Sequence, residues 1–203
     1  MATRTHRPLV FADQVFKQNS LLKDALLVLG GSLFVALTAQ IAIPLPWTPV
    51  PITGQTFGVL LIGMLLGPWR GAASMLLYLA EGGLGLPFFA GGAGGVGVLM
   101  GGSAGYLFGY VPAALAIGWL AERGWDRTFF KTALIMLVGN IILYVPGLIV
   151  LNAVFPDLNT FQAGLIPFIP GDLTKLALAA ALMPTLWRFF GMNKPEKQDE
   201  KAG

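Results

Sequence analysis

Long apolar runs separated by short polar joints dominate the chain. Asp24 to Ile43 is apolar over a length that crosses a bilayer, which takes about 20 residues. Ile52 to Leu66 is a shorter run. Trp69 to Leu86 is apolar apart from Arg70 and Glu81, and Ala104 to Ala121 is uninterrupted. Thr132 to Leu151 is broken only by Asn140, Tyr144 and Pro146. The last run, Asp172 to Phe190, opens on an acid and carries Lys175 one turn later. Uniformly apolar helices show little amphipathic contrast, so length rather than periodicity makes these runs helical. The pattern predicts an all-α membrane protein with six transmembrane helices over residues 24–190. Residues 1–23 form a preceding segment and residues 191–203 a polar tail. Phe11, Val15 and Phe16 recur at helical spacing among polar residues, which predicts an interfacial helix over residues 9–22.

Charge gives these runs a direction. Of 203 residues only 11% are charged, against about 25% in soluble domains. With the N-terminus inside, Arg4, Arg7, Lys17, Lys23, Arg70, Arg123, Arg127, Lys131, Arg188, Lys194, Lys197 and Lys201 all fall on the cytoplasmic side. The outward connections 44–51, 87–103 and 152–171 hold no Lys or Arg, and Asp157 is their single charge. That asymmetry follows the positive-inside rule, supports an even number of spans and places both termini in the cytoplasm. It also accounts for the basic balance without nucleic acid. Charged residues continue to Lys23 and the first apolar run is long enough to span, so the start does not read as a signal peptide. The absence of cysteine excludes disulfides and thiolate chemistry, and the lone His6 lies in the polar N-terminal segment, so no metal site is expected.

Two outward connections are irregular. Pro44-Leu-Pro-Trp-Thr-Pro-Val-Pro51 has four prolines in eight residues, which favours extended backbone. It leads to Thr53, Gln55 and Thr56 at the mouth of a short span. Phe88-Phe-Ala-Gly-Gly-Ala-Gly-Gly-Val-Gly97 supplies glycines that let backbone approach a ligand closely. Irregular backbone at membrane depth is tolerated where it lines a cavity, so the two connections predict a lidded outward cavity.

Two motif matches mislead. Gly92-Ala-Gly-Gly-Val-Gly97 fits a dinucleotide fingerprint but follows no strand of a βαβ unit. Gly101-Gly-Ser-Ala-Gly105 fits a nucleophile elbow, yet Ser103 has no evident base. Gly101, Gly105 and Gly109 repeat every four residues, which predicts close helix packing and makes Ser103 a packing residue. No Walker A sequence is present, so this chain does not hydrolyse ATP by that route, and no catalytic residue is assigned.

The polar residues inside the apolar runs are the candidate site. Lys175 opposes the helix dipole and costs about 2.5–3.5 kcal/mol at the bilayer centre, less near the interface. Asp172, three residues earlier, shares its face and doubles as a helix N-cap. Asn140 and Tyr144 share a face four apart, and Tyr106 lies near the outward end of the fourth span. Asp172, Lys175, Asn140, Tyr106 and aromatic loop residues would bind a small, partly apolar molecule with few polar groups. Glu81 has no assigned role.

Val50-Pro-Ile-Thr-Gly-Gln-Thr-Phe57, Leu86-Pro-Phe-Phe-Ala-Gly-Gly92, Gly105-Tyr-Leu-Phe-Gly109 and Pro170-Gly-Asp-Leu-Thr-Lys175 occur in this order, and together they resemble the signature blocks of the BioY family. Its members are the biotin-binding S components of energy-coupling factor (ECF) transporters. The resemblance runs from about Leu26 to Phe190. The family's usual Gly-Pro-Thr-Gly-Gly-Tyr is here Gly101-Gly-Ser-Ala-Gly-Tyr106. The resemblance implies a six-helix S-component fold in a prokaryotic plasma membrane and biotin as ligand. It also implies a transmembrane T component and two ABC-type ATPases as partners, with ATP used by those partners and no cofactor on this chain. Ser32 and Ala36 match the family's small-xxx-small motif for docking to the T component. Ligand contacts are then expected from Asp172, Lys175, Tyr106, Asn140, Gln55, Thr53, Phe89 and Trp47. Asp172 accepts from a ureido N–H, Lys175 or Tyr106 donates to an oxygen, and Trp47, Phe88 and Phe89 wall the apolar part. Competing readings are an S component for another vitamin, a proton-coupled carrier using Asp172 or Glu81, and an intramembrane enzyme using Ser103.

Overall fold

The computed structural model describes residues 10–16 and 20–191. The chain order is α1 (Phe11–Val15), α2 (Leu21–Ala39), β1 (Ala42–Ile43), β2 (Ile52–Thr53), α3 (Gln55–Leu66), α4 (Pro68–Gly83), α5 (Ala104–Ala121), α6 (Phe129–Val154), α7 (Thr160–Gly164) and α8 (Ile169–Phe189). Short 3₁₀ turns punctuate the connections.

The apolar runs locate the helices, and local chemistry sets their ends. Ser20 caps α2 by accepting from the Leu22 amide, so α2 begins three residues before the expected boundary at Asp24. Gly67 adopts φ of 83°, which only glycine takes readily, and Pro68 follows at the first position of α4. That turn lies against Gly118 of α5, where an added Cβ would collide with the Gly67–Pro68 backbone. The proline-rich connection does not run extended as its composition implied: it turns at Pro46-Trp47 and bends at Pro49-Val50, and so closes a small antiparallel hairpin, with Ala42 opposite Thr53 and Ile43 opposite Ile52. The fold is therefore helical with one two-stranded ribbon.

Helix α5 is central, packed against α3, α4 and α6, while α8 covers α6 and α2 covers α3 and α4. Leu60, Met64, Met75, Ile117, Ile135, Met136, Leu143 and Met183 fill the core without solvent exposure beyond 1%. Leu29, Leu33 and Leu37 of α2, Ile141, Val145 and Ile149 of α6, and Leu178 and Leu182 of α8 remain exposed. So much contiguous apolar surface suits contact with lipid rather than water. Four helical stretches are long and apolar enough to cross a membrane: Leu21–Ala39, Ala104–Ala121, Phe129–Val154 and Thr160–Phe189. Helices α3 and α4, with 12 and 16 residues, reach about 18 and 24 Å, short of a full hydrocarbon core of about 30 Å.

Two further sequence expectations change here. The N-terminal helix is five residues long, and it packs onto the bundle. Ala12 is buried, and the Phe11 ring meets Trp187 and Phe190 edge-on at 5.5 and 5.3 Å. Arg70 pairs with Asp13 at 2.6 Å and Asp24 at 3.4 Å, joining α1, α2 and α4. The glycine seam is also shorter than its spacing implied. Added Cβ atoms at Gly105 and Gly109 would strike α6 around Leu143 and Pro146, whereas Gly101 meets only its own loop.

Candidate functional site

The hairpin, the segment 84–103 and the segment 155–168 gather at one end of the bundle. Beneath them lies a cavity of about 300 Å³. Its wall comes from the hairpin (Val50, Thr53), α3 (Gln55, Thr56), the glycine-rich segment (Phe89), α5 (Tyr106, Leu107, Tyr110), α6 (Leu143, Tyr144) and α8 (Asp172, Lys175). Its size is at the small end of ligand pockets, and its wall is mostly apolar.

The charged pair sits on one wall. Helix α8 starts at Ile169, so Asp172 falls within the first turn rather than at the N-cap. A first-turn carboxylate interacts well with the helix dipole. Lys175 Nζ donates to Asp172 Oδ1 at 3.1 Å and to Thr56 Oγ1 at 2.8 Å. Tyr144 donates its hydroxyl to Asp172 Oδ2 at 2.5 Å. Both charged side chains are largely enclosed, with 16% and 11% of their surface exposed for Lys175 and Asp172. The lysine keeps a third donor and the carboxylate keeps lone pairs, so the pair has capacity left for a ligand that both donates and accepts.

Thr53, Gln55, Phe89, Tyr106, Asp172 and Lys175 come together as expected. Two of them are differently engaged than the sequence implied. The Tyr106 hydroxyl donates to the Gly164 carbonyl at 2.7 Å, so Tyr106 offers the cavity its ring rather than a donor. Gln55 is held by its neighbours: Nε2 donates to the Tyr78 hydroxyl, and Oε1 accepts from Tyr110 at 3.1 Å and Thr53 at 3.2 Å.

Asn140 and Trp47 do not join the cavity. Asn140 is buried within α6, where its Oδ1 has no hydrogen-bond partner among the described residues, and Tyr144 one turn on takes the place at the wall. Trp47 is 60% exposed on the hairpin loop. Ser32 and Ala36, expected on a docking face, are buried at 0% and 5% exposure. The Ser32 hydroxyl donates to Glu81, which gives that acid an interhelical partner and leaves neither small residue displayed to another protein. Ser103 contributes to the cavity wall, so it is more than a packing residue. Tyr144, Tyr110 and Thr56 line the cavity in addition to the expected residues. The shared face of Asn140 and Tyr144 was the available signal, but periodicity gives a face and not a depth.

Known proteins resemble this chain in sequence and in fold. The biotin transporter BioY of Rhodobacter capsulatus is 40% identical over 176 residues, covering 81% of this chain and 92% of that protein. The biotin transporter BioY of Thermotoga maritima is 38% identical over 149 residues, covering 73% and 86% respectively. A crystal structure of the S-component for biotin from an ECF-type ABC transporter superposes with a TM-score of 0.73 at 27% identity, covering 82% of this chain and 92% of that one. The BioY family model matches residues 10–192, which include all the described residues, and the chain belongs to the BioY family.

Proposed function

We propose that this chain is the biotin-binding S component of an ECF transporter. The observation that carries the reading is the enclosed Asp172–Lys175–Tyr144 cluster on one wall of a small, mainly apolar cavity. Biotin presents two ureido N–H groups and a carbonyl at one end and a thiophane ring with a valeryl chain elsewhere. Asp172 accepts from an N–H, Lys175 donates to an oxygen, and Phe89, Leu107, Leu143 and the rings of Tyr106 and Tyr110 enclose the apolar part. Thr53 and Gln55 complete the wall.

The chain crosses a prokaryotic plasma membrane six times, through α2, α3, α4, α5, α6 and α8, with both termini cytoplasmic. Charge asymmetry supports this, since the connections 44–51, 87–103 and 152–171 at the cavity end hold no Lys or Arg and Asp157 as their single charge. The hairpin above α3 makes up for the shortness of that helix. Translocation draws on a transmembrane T component and two ABC-type ATPases, because this chain carries no Walker A sequence. It is a transport subunit without chemistry of its own.

Calorimetric titration of the purified protein with biotin, desthiobiotin, thiamine and riboflavin tests the assignment. Biotin should bind at least a hundredfold tighter than thiamine or riboflavin, and equal affinities would defeat the reading. For topology, a cysteine introduced at Asp157 should react with an impermeant thiol reagent from outside, and one at Thr128 should not.

A further inference from the structure

Tyr78 of α4 has no exposed surface and does not line the cavity, yet it connects two parts that do. Its hydroxyl donates to the Phe88 carbonyl at 3.1 Å and accepts from Gln55 Nε2. The carbonyl fixes the direction of the chain of bonds. A carbonyl only accepts, so the Tyr78 proton is committed to Phe88, and Tyr78 must take its second bond as an acceptor. Gln55 therefore turns its amide nitrogen to Tyr78 and its oxygen to Tyr110 and Thr53. One line of buried bonds thus runs from the cavity wall to the backbone of the glycine-rich segment.

The same tyrosine also holds that segment by its ring. Tyr78 and Phe89 meet edge-on with centroids 5.5 Å apart, and Phe89 is part of the cavity wall. An added Cβ on Gly82 would collide with the Phe89 ring, so the ring is wedged against α4. Gln40 of α2 reaches the Pro87 and Phe89 carbonyls only at 3.4 and 3.5 Å, which are long contacts. The Phe88 carbonyl has the shorter bond, from Tyr78 at 3.1 Å.

We propose that Tyr78 is a positioning residue that latches the Phe88–Phe89 segment, whose Phe89 lines the cavity, to the Gln55 side of the cavity and thereby slows ligand release. The kinetic part rests on the reading of this cavity as the biotin site. The structural part does not.

Tyr78→Phe keeps the ring and deletes the hydroxyl, leaving the Gln55 amide and the Phe88 carbonyl each short of one buried bond. Such a loss should accelerate biotin dissociation by about tenfold, with little change in association rate. In ligand-free protein, hydrogen exchange of a peptide covering residues 86–95 should quicken by about tenfold while α6 exchanges as before. Replacement of Tyr78 by 4-aminophenylalanine, which restores a donor to Phe88, should return both rates to near the parental values. This variant also keeps the test open if Tyr78→Phe does not fold: exchange over residues 86–95 about tenfold faster than the parent's in it would refute the latch. Unchanged loop exchange in a folded Tyr78→Phe protein overturns the proposal, as does faster release without faster loop exchange. If loop exchange quickens but not even the parent binds biotin, the latch stands and the ligand assignment falls.

Discussion

Two buried carboxylates sit at opposite ends of this bundle and live under different rules. Asp172, at the cavity end, has a lysine ammonium, a tyrosine hydroxyl and a cavity in front of it. Asp126, in the 3₁₀ turn between α5 and α6, is 0% exposed and lines no cavity described above. Its Oδ2 accepts from Trp187 Nε1 at 2.7 Å, while its Oδ1 and the nearby Arg127 Nε lack partners among the described residues. The Arg127 guanidinium stacks over the Trp187 ring, 4.6 Å from its centre. Burial pushes the Asp126 carboxyl up to about 6 from its ordinary 3.8, against the lowering influence of the Trp187 N–H. Burial alone therefore does not mark a ligand residue. What separates the two is the cavity and the unused bonding capacity facing it.

The contrast is sharpest for Lys175→Ala, which strands Asp172 and removes a charged donor. A charge-assisted bond contributes about 1.5–3 kcal/mol and the stranded carboxylate adds to the loss, so biotin affinity should fall about a hundredfold by calorimetry. Asp172→Asn keeps the shape and weakens a charge-assisted acceptor, for a loss of about ten- to a hundredfold. The double variant should lose less than the sum of the two. Arg188→Ala, near the far end of the same helix, should bind normally. Parental affinity in both single variants would make the Asp172 pair structural, like its counterpart.

Asp126→Asn should act on stability instead of binding. Because the folded protein holds the Asp126 proton more tightly than the unfolded chain, the neutral form favours folding. That advantage is complete below about pH 4 and disappears as pH rises through about 6, leaving a cost on the order of 3 kcal/mol at neutral pH. Asparagine keeps an acceptor for Trp187 and avoids the buried charge. Thermal unfolding in detergent should show the variant more stable at pH 7.5 and less sensitive to pH between 4.5 and 7.5. Identical pH slopes in variant and parent would contradict the assignment.

Ser103→Ala should have the smallest effect, changing biotin affinity by a few-fold at most. Ser103 borders the cavity, but no hydrogen bond from its hydroxyl contributes to the polar cluster. Complete loss of binding would place a ligand contact there.

The sequence made Asp172 and Lys175 legible because a charge inside an apolar run has few reasons to exist. It made the two cavity-lining connections legible through proline and glycine, whose backbone restrictions are local. Ala104–Ala121 matches its apolar run end to end. What could not be read depends on partners distant in sequence. Tyr106 meets Gly164 across 58 positions, and Gln55 meets Tyr110 across 55. The Ser32–Glu81 bond turned an expected outward motif inward, and no local pattern encodes that. Asn140 and Tyr144 share a face, yet only Tyr144 reaches the cavity, because one helical turn moves a side chain about 5.4 Å along the axis.

Gly105 and Gly109 set a spacing that the cavity inherits. Tyr106, Leu107 and Tyr110 on α5 and Leu143 and Tyr144 on α6 line the cavity, with the Tyr106 and Tyr144 rings edge-on at 5.8 Å, and the separation of those helices is governed by two positions with only hydrogen for a side chain. A methyl group at either position would have to displace α6 backbone or Pro146. The shape of the cavity is thus calibrated from behind its walls, by positions outside its lining, so that a substitution there can act as a change in the size of molecule the cavity admits.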